Sequence, residues 1–335
     1  MHRYILLTGS TGSLGAEILS LSLRASIPLV LLNRSGSPSL KDSELKVFLG
    51  DLTQPKLGLT EAGWNHLAGS ISGIIHCAAD TNFTQSLAGA RLVNVEGTRA
   101  LLSLAASAHA LQDQPICFCH VSTAFVAGNA SGIVSAHRAA LPGTFRNAYE
   151  QSKAEAEALV TEAAAGIETL IVRPSIIVGR QLDGYTRRFN TVYVPLKLIL
   201  KLQKDLLPCN PDVPLDMVPV DYVAEQILLL YERKKRGIYH IVAGSGRETT
   251  PAELFDIAKR TCSKLRYPCP DLKFICSKVP SALRPLLAYF QENPRFAHSP
   301  EVATAPDFCG YGEKIFEYCL LSDWGKKPSL SAWMN

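Results

Sequence analysis

Residues 4–19 read YILLTGSTGSLGAEIL, and this stretch decides the fold. An apolar, strand-like run, YILLT, leads into glycines 9, 12 and 15, and the chain continues into AEIL, which reads as helix. A glycine triplet is informative in this strand–turn–helix setting and weak outside it. Glycine admits positive φ and lets backbone come close to a phosphate. The following helix N-terminus offers unpaired N–H groups and positive potential to an anion. Gly9, Ser10, Thr11, Gly12, Ser13, Leu14 and Gly15 are therefore expected to cradle a dinucleotide, with the Ser10, Thr11 and Ser13 hydroxyls as added donors.

The same logic extends along the chain. Further strand-like runs occur at 28–33, 45–52, 73–79, 115–123 and 168–179, mostly as continuous apolar segments suited to strands covered on both faces. Helical stretches such as RLVNVEGTRALLSLAASA and AYEQSKAEAEALVTEA lie between them. Repeated β–α alternation implies right-handed crossovers and a parallel sheet. The expected fold class is α/β, a doubly wound Rossmann-like sheet with a smaller C-terminal substrate-binding region. Residues 1–180 plus about 216–245 are read as the dinucleotide-binding Rossmann domain, and 181–215 plus 246–335 as the second region. The run GIYHIVAG (237–244) is expected to return to the main sheet.

Bulk properties narrow the function classes. The 335 residues are 47% hydrophobic and 19% charged, enough for one large core or two smaller ones. A net charge of +4 is mild, and the dense basic stripes of a nucleic-acid binder are absent. The run RKKR at 233–236 reads as a helix end, where cations suit the dipole. No apolar stretch reaches bilayer-spanning length, and MHRYILLTGS lacks a signal-peptide layout. The nine cysteines show no paired C-x-x-C spacing, so reduced thiols in a cytoplasmic protein without a metal are expected.

The cofactor's identity is read at the second strand. An acid there would hold a ribose 2′-OH, but the sequence has Asn33-Arg34-Ser35. The arginine fork suits a 2′-phosphate, so NADPH is expected ahead of NADH. Asp51 and Leu52 stand where an adenine could rest, and the small Ala78 and Ala79 leave room for the cofactor. The fifth strand ends HVSTAFVAG, where Ser122 and Thr123 alternate faces, so one hydroxyl is expected in the cleft. Tyr149 and Lys153, in YEQSK, lie four apart on a helix and share a face. An ammonium near the phenol is expected to lower its pKa and ready it as a proton donor.

Together these features resemble the extended short-chain dehydrogenase/reductases. HCAADTNF, LVNVEGTRALL, HVSTAFVAG, RPSIIVG and DMVPVDYVAEQI resemble more closely the fatty acyl-CoA reductases of male-sterility type and the thioester reductase domains of peptide and polyketide synthetases. The resemblance covers roughly residues 4–245. It implies Thr123, Tyr149 and Lys153 as catalytic residues, Thr123 being chosen because the family's hydroxyl stands five before the glycine, here Gly128. It places the Gly9–Gly15 loop, Arg34, Asp51, Ala78 and Lys153 on the cofactor, with Pro174 and Ser175 by the nicotinamide. Asn94 would tie its helix to the active-site strand. One departure is GIVSAHR (132–138), which lacks the acidic residue often found there.

The activity so implied is NADPH-dependent reduction of an acyl thioester, on CoA or a phosphopantetheine carrier, to an aldehyde, with further reduction to the alcohol left open. The amphipathic run VYVPLKLILKLQKDLL (192–207), with Lys197, Lys201 and Lys204, is read either as the lining for such a substrate or as an ordinary core-facing helix. Alternatives are a ketone reductase, a nucleotide-sugar epimerase or dehydratase, and a non-catalytic NADP-binding regulator. The motif RPSIIVG and the intact Tyr149 and Lys153 weigh against the last three of these. Oligomeric state is left open.

Overall fold

The structure is a computed structural model that describes residues 3–34, 45–137, 145–203, 205–275 and 287–326. The chain divides into two compact units. The first comprises Met1–Gly128, Ala139–Pro174 and Ala224–Tyr239; the second comprises Asn129–Arg138, Ser175–Val223 and His240–Asn335.

The first unit is built on a seven-stranded sheet. Its strands are β1 Tyr4–Thr8, β2 Leu29–Asn33, β3 Lys46–Leu49, β4 Ile71–His76, β5 Ile116–Val121, β6 Ile167–Pro174 and β7 Gly237–Ile241. The order is β7-β6-β5-β4-β1-β2-β3, and the pairings from β3 through β6 are parallel. GIYHIVAG thus does return to the main sheet. Strand order reverses between β1 and β4, the switch point outside which ligands bind in open α/β sheets.

Helices α1 (Ser13–Arg24), α2 (Glu61–Ser70), α3 (Gly97–Gln112) and α4 (Ala148–Thr161) connect these strands. The strands are apolar because one face packs on helices: Leu6, Val30, Ile74, Phe118 and Ile171 meet Trp64, Leu67, Leu101, Leu104 and Val160. Local signals start the helices. Thr60 caps α2 by accepting from Gly63 N at 3.1 Å, and Asn147 caps α4 by accepting from Glu150 N at 2.9 Å. A π-turn at Leu92–Glu96 precedes α3.

In the second unit, short strands Ile176–Val178 and Met217–Pro219 pair in parallel. The buried Asp216 accepts from Ala243 N at 2.8 Å and Gly244 N at 3.0 Å. Helix α5 (Tyr193–Leu202) buries Tyr193, Leu196, Ile199 and Leu200, while Lys201 pairs with Asp323 at 2.8 Å. The core-facing reading of this run therefore holds; Lys204 lies outside the described residues. Helix α6 (Val220–Glu232) starts in the second unit and continues in the first, where it ends just before Arg233, as the basic run implied, and Arg236 pairs with Glu168. Helices α7 (Pro251–Lys264) and α8 (Phe308–Leu321) pack together, α7 opened by a Thr250–Glu253 capping box.

Among the described residues no helix is long and apolar enough to cross a membrane, and no cluster of His, Cys, Asp or Glu suits a metal. The eight described cysteines are free thiols; Cys276 is outside the described residues.

Candidate active site

Because the strands are parallel, Gly9, Arg34, Ala78 and Thr123, which follow strand ends, and Pro174, which closes β6, all lie at one edge of the first unit. The glycine turn is built by backbone contact. Gly9 has φ of +74°, and a Cβ on it would fall 2.7 Å from Ala78 N. A Cβ on Gly15 would fall 2.2 Å from the Gly9 carbonyl oxygen. Gly12 is the N-cap of α1, which has no side-chain cap and no acid in its first turn. That N-terminus, rimmed by the exposed Thr11 and half-buried Ser13 and Leu14, fits a dinucleotide diphosphate. Ser10 departs from expectation: it is buried, and its hydroxyl donates to Asn33 Oδ1 at 2.8 Å, so it braces β2 rather than facing solvent.

Arg34 is exposed at the end of β2, and its charge acts on Asp51. The Asp51 carboxylate accepts from Thr53 N and Thr53 Oγ1, each at 2.9 Å. The Thr53 backbone N–H is the main reason its pKa lies below the usual value, with the Thr53 hydroxyl and Arg34 adding to the effect. Leu52 packs where a Cβ on Gly97 would stand. Ala78 donates its N–H to Thr8 Oγ1 at 3.2 Å, and Ala79 is half-buried beside it in the chain. Pro174 closes β6, and Ser175 opens the second unit, its N–H bound to Ile241 O at 3.2 Å.

Ser122 and Thr123 take opposite roles. Ser122 Oγ donates to Glu157 at 2.7 Å within the fold, whereas the Thr123 hydroxyl hydrogen-bonds the Tyr149 phenol. The phenol itself departs from the sequence reading. Burial pushes its pKa up to about 12, Thr123 opposes that shift and Glu150 adds to it. The Lys153 ammonium is engaged on its own side: Nζ lies 3.1 Å from His120 Nε2. Burial lowers the Lys153 pKa to about 8, opposed by Glu157.

Asn94, in the π-turn, ties two segments together, but not those expected. Its Oδ1 accepts from Asp80 N at 2.8 Å, while Nδ2 donates to Asp80 O at 3.1 Å and Ser152 Oγ at 2.9 Å. Ser152 in turn donates to Tyr149 O at 3.0 Å. Asn94 therefore joins the loop after β4 to the Tyr149 helix rather than to β5.

Comparison with known proteins places the chain. Residues 7–227 match the family described as male sterility protein, an NAD-binding domain. The chain belongs to that family. Fatty acyl-CoA reductase 1 of Rattus norvegicus is 28% identical over 278 residues, covering 67% of this chain and 53% of that protein. The chain thus spans about half the length of that relative. An NRPS-like oxidoreductase of Fusarium equiseti is 29% identical over 247 residues, covering 67% of this chain and 23% of that protein. Among solved structures, the terminal R domain from the myxalamid PKS-NRPS pathway superposes with a TM-score of 0.76 at 24% identity, covering 98% of this chain and 93% of that one. UDP-glucuronic acid 4-epimerase from Bacillus cereus, in complex with NAD, superposes with a TM-score of 0.72 at 16% identity, covering 98% and 99% of the two chains. These two structures share the fold.

In this male sterility family member, three polar elements escaped the sequence reading. One is the buried trio Ser122, Glu157 and Arg173, in which Arg173 Nε donates to Glu157 at 3.1 Å. The others are His76 and His120, aligned across β4 and β5. Histidines at the ends of two neighbouring apolar strands were the available signal: each is too polar for such a run unless it has partners.

Proposed function

We propose that this chain is an NADPH-dependent reductase of acyl thioesters, with Tyr149 as proton donor, Thr123 as its hydrogen-bonding companion and Lys153 as the buried cation of the site. The observation that carries this reading is the Thr123–Tyr149 hydrogen bond on the Lys153 helix, at the same sheet edge as the glycine turn. Bound NADPH supplies the hydride that reduces the carbonyl. The chain's own residues do the rest. Thr123 and Tyr149 hydrogen-bond the carbonyl oxygen and stabilise the negative charge that grows on it. Tyr149 then gives its proton to that oxygen, and expulsion of the thiol leaves an aldehyde.

Arg34, exposed beyond β2, supports NADPH over NADH because its guanidinium suits a 2′-phosphate. The Gly9–Gly15 loop would hold the diphosphate, Asp51 and Leu52 would flank the adenine, and Ala78, Ala79, Lys153, Pro174 and Ser175 would line the rest of the cofactor. We assign the second unit to substrate binding, CoA-linked or carried on a phosphopantetheine protein. The named activity of the fatty acyl-CoA reductase relative supports the thioester class. The test is NADPH oxidation by pure protein with a panel of acyl-CoA and acyl-pantetheine thioesters, beside Tyr149→Phe. Thioester-dependent oxidation that yields aldehyde or alcohol and falls to a small residue in the variant supports the reading. Cofactor binding without thioester turnover would move the assignment to ketone or nucleotide-sugar chemistry.

A further inference from the structure

Lys153 and two histidines form a buried cluster whose hydrogen atoms the geometry can assign. Lys153, His76 and His120 are all at most 2% exposed. The rings of His76 and His120 lie 5.4 Å apart. His76 is held on both nitrogens: Nδ1 lies 2.8 Å from Thr8 Oγ1, and Nε2 lies 3.1 Å from Thr98 Oγ1. The Thr98 hydroxyl already donates to Asn94 O at 2.6 Å, so toward His76 it accepts. The His76 proton therefore sits on Nε2, and Nδ1 accepts from Thr8.

His120 must take the opposite form. An ammonium has only donors, so the contact of Lys153 Nζ with His120 Nε2 at 3.1 Å requires a bare Nε2. The proton is then on Nδ1, which has no hydrogen-bond partner among the described residues. A buried N–H left without an acceptor is unfavourable. Pairing at Nε2 thus decides the tautomer against the preference of the other nitrogen. Among the described hydrogen bonds, His120 is also the partner that Lys153 Nζ has.

We propose that His120 is a positioning residue for Lys153, its Nδ1-protonated neutral ring accepting the lysine ammonium at Nε2 and thereby fixing it and keeping it charged. The surroundings agree. Burial drives His76 down to about 3 and His120 well below its usual value, so neither ring competes for the proton. The Cys77 thiol is pushed up to about 12 and stays neutral. From α4 itself, Glu157 favours the ammonium but is bound to Arg173, and Tyr149 is neutral. One positive charge is left in the cluster, on Lys153.

The value of this arrangement for catalysis rests on the reductase reading; the arrangement itself does not. The test reads the cluster directly. Imidazole 15N shifts of wild-type protein, with His120 assigned by its loss in His120→Gln, report the tautomer. Protonation on Nδ1 is expected; an Nε2-protonated or doubly protonated ring would overturn the proposal. In parallel, ε-13C-lysine spectra, assigned with Lys153→Arg, follow the Lys153 midpoint in wild type, His120→Gln and His120→Met. Loss of the acceptor in His120→Met should lower that midpoint by about one pH unit, the worth of one hydrogen bond to a charged group. Glutamine retains an acceptor and should hold the midpoint near that of wild type. Equal midpoints in all three proteins would overturn the proposal. Wild-type tautomer data need no variant to fold beyond the one used for assignment, and His120→Asn can serve there. A wild type inert toward thioesters but showing both signatures would refute the function and leave this inference standing.

Discussion

Replacing Glu157 tests how the Lys153 helix is bonded to the sheet. The Glu157 carboxylate accepts from Ser122 Oγ at 2.7 Å and from Arg173, and the two charged side chains are 7% and 2% exposed. Glu157→Leu removes the carboxylate from a buried ion pair, which costs about 3–5 kcal/mol. Ser122 loses its acceptor, adding about 1 kcal/mol. At about 2–4 °C per kcal/mol, thermal unfolding should fall by roughly 10–20 °C. Arg173→Met should be comparably harmful, because it strands the carboxylate. The double variant Glu157→Leu/Arg173→Met removes both charges and should return to within about 2 kcal/mol of wild type, since apolar pairs of similar volume replace buried ion pairs well. Urea unfolding followed by circular dichroism gives all four stabilities. A double variant as unstable as the sum of the singles would refute the reasoning.

Three further outcomes are expected. Gly15→Ala forces a Cβ to within 2.2 Å of Gly9 O, and the overpacking of about 1–3 kcal/mol should weaken NADPH binding roughly 10–100-fold; unchanged fluorescence titration would contradict the cradle. Arg34→Ala should reduce the NADPH-over-NADH preference in kcat/KM by roughly 10–100-fold, the loss of a charge-assisted contact worth about 1.5–3 kcal/mol. Acid should destabilise the fold through the buried histidines. His76 is lowered to about 3 and His120 well below its ordinary value, so below the ordinary histidine range the unfolded chain binds more protons, and stability falls as pH drops. Each contributes up to about 1.4 kcal/mol per pH unit, and His120→Gln should remove its share of the slope of urea-derived stability between about pH 6 and about pH 4.5.

The fold was legible because its signals are local and repeated. YILLTGSTGSLG fixes a strand, turn and helix, and each later apolar run repeats the theme until GIYHIVAG supplies the last strand. Strand ends then bring distant residues to one edge by topology alone. What the sequence did not reveal depends on cross-strand register and desolvation. Alternation separated Ser122 from Thr123, but the glutamate that receives Ser122 lies 35 positions on. Ser10 looked like a phosphate donor until β2 placed Asn33 against it. The Tyr149 pKa was expected to fall because Lys153 is one helical turn away; burial governs it instead, while the ammonium turns to His120.

That division bears on which group limits the reaction at high pH. A phenol near 12 stays protonated across the working range, so Tyr149 enters the proposed reaction as an acid with its proton in place. Lys153, near 8, changes charge first. Below that value the ammonium is present to favour negative charge in the site; as pH rises through it, that support is lost. The alkaline limb of kcat/KM should therefore lie near 8 and belong to Lys153. Residual thioester reduction in Tyr149→Phe should keep the limb, and Lys153→Met should be slow and lack it. A limb that disappears with the phenol and survives without the lysine would transfer the titration to Tyr149 and show that burial does not control this site.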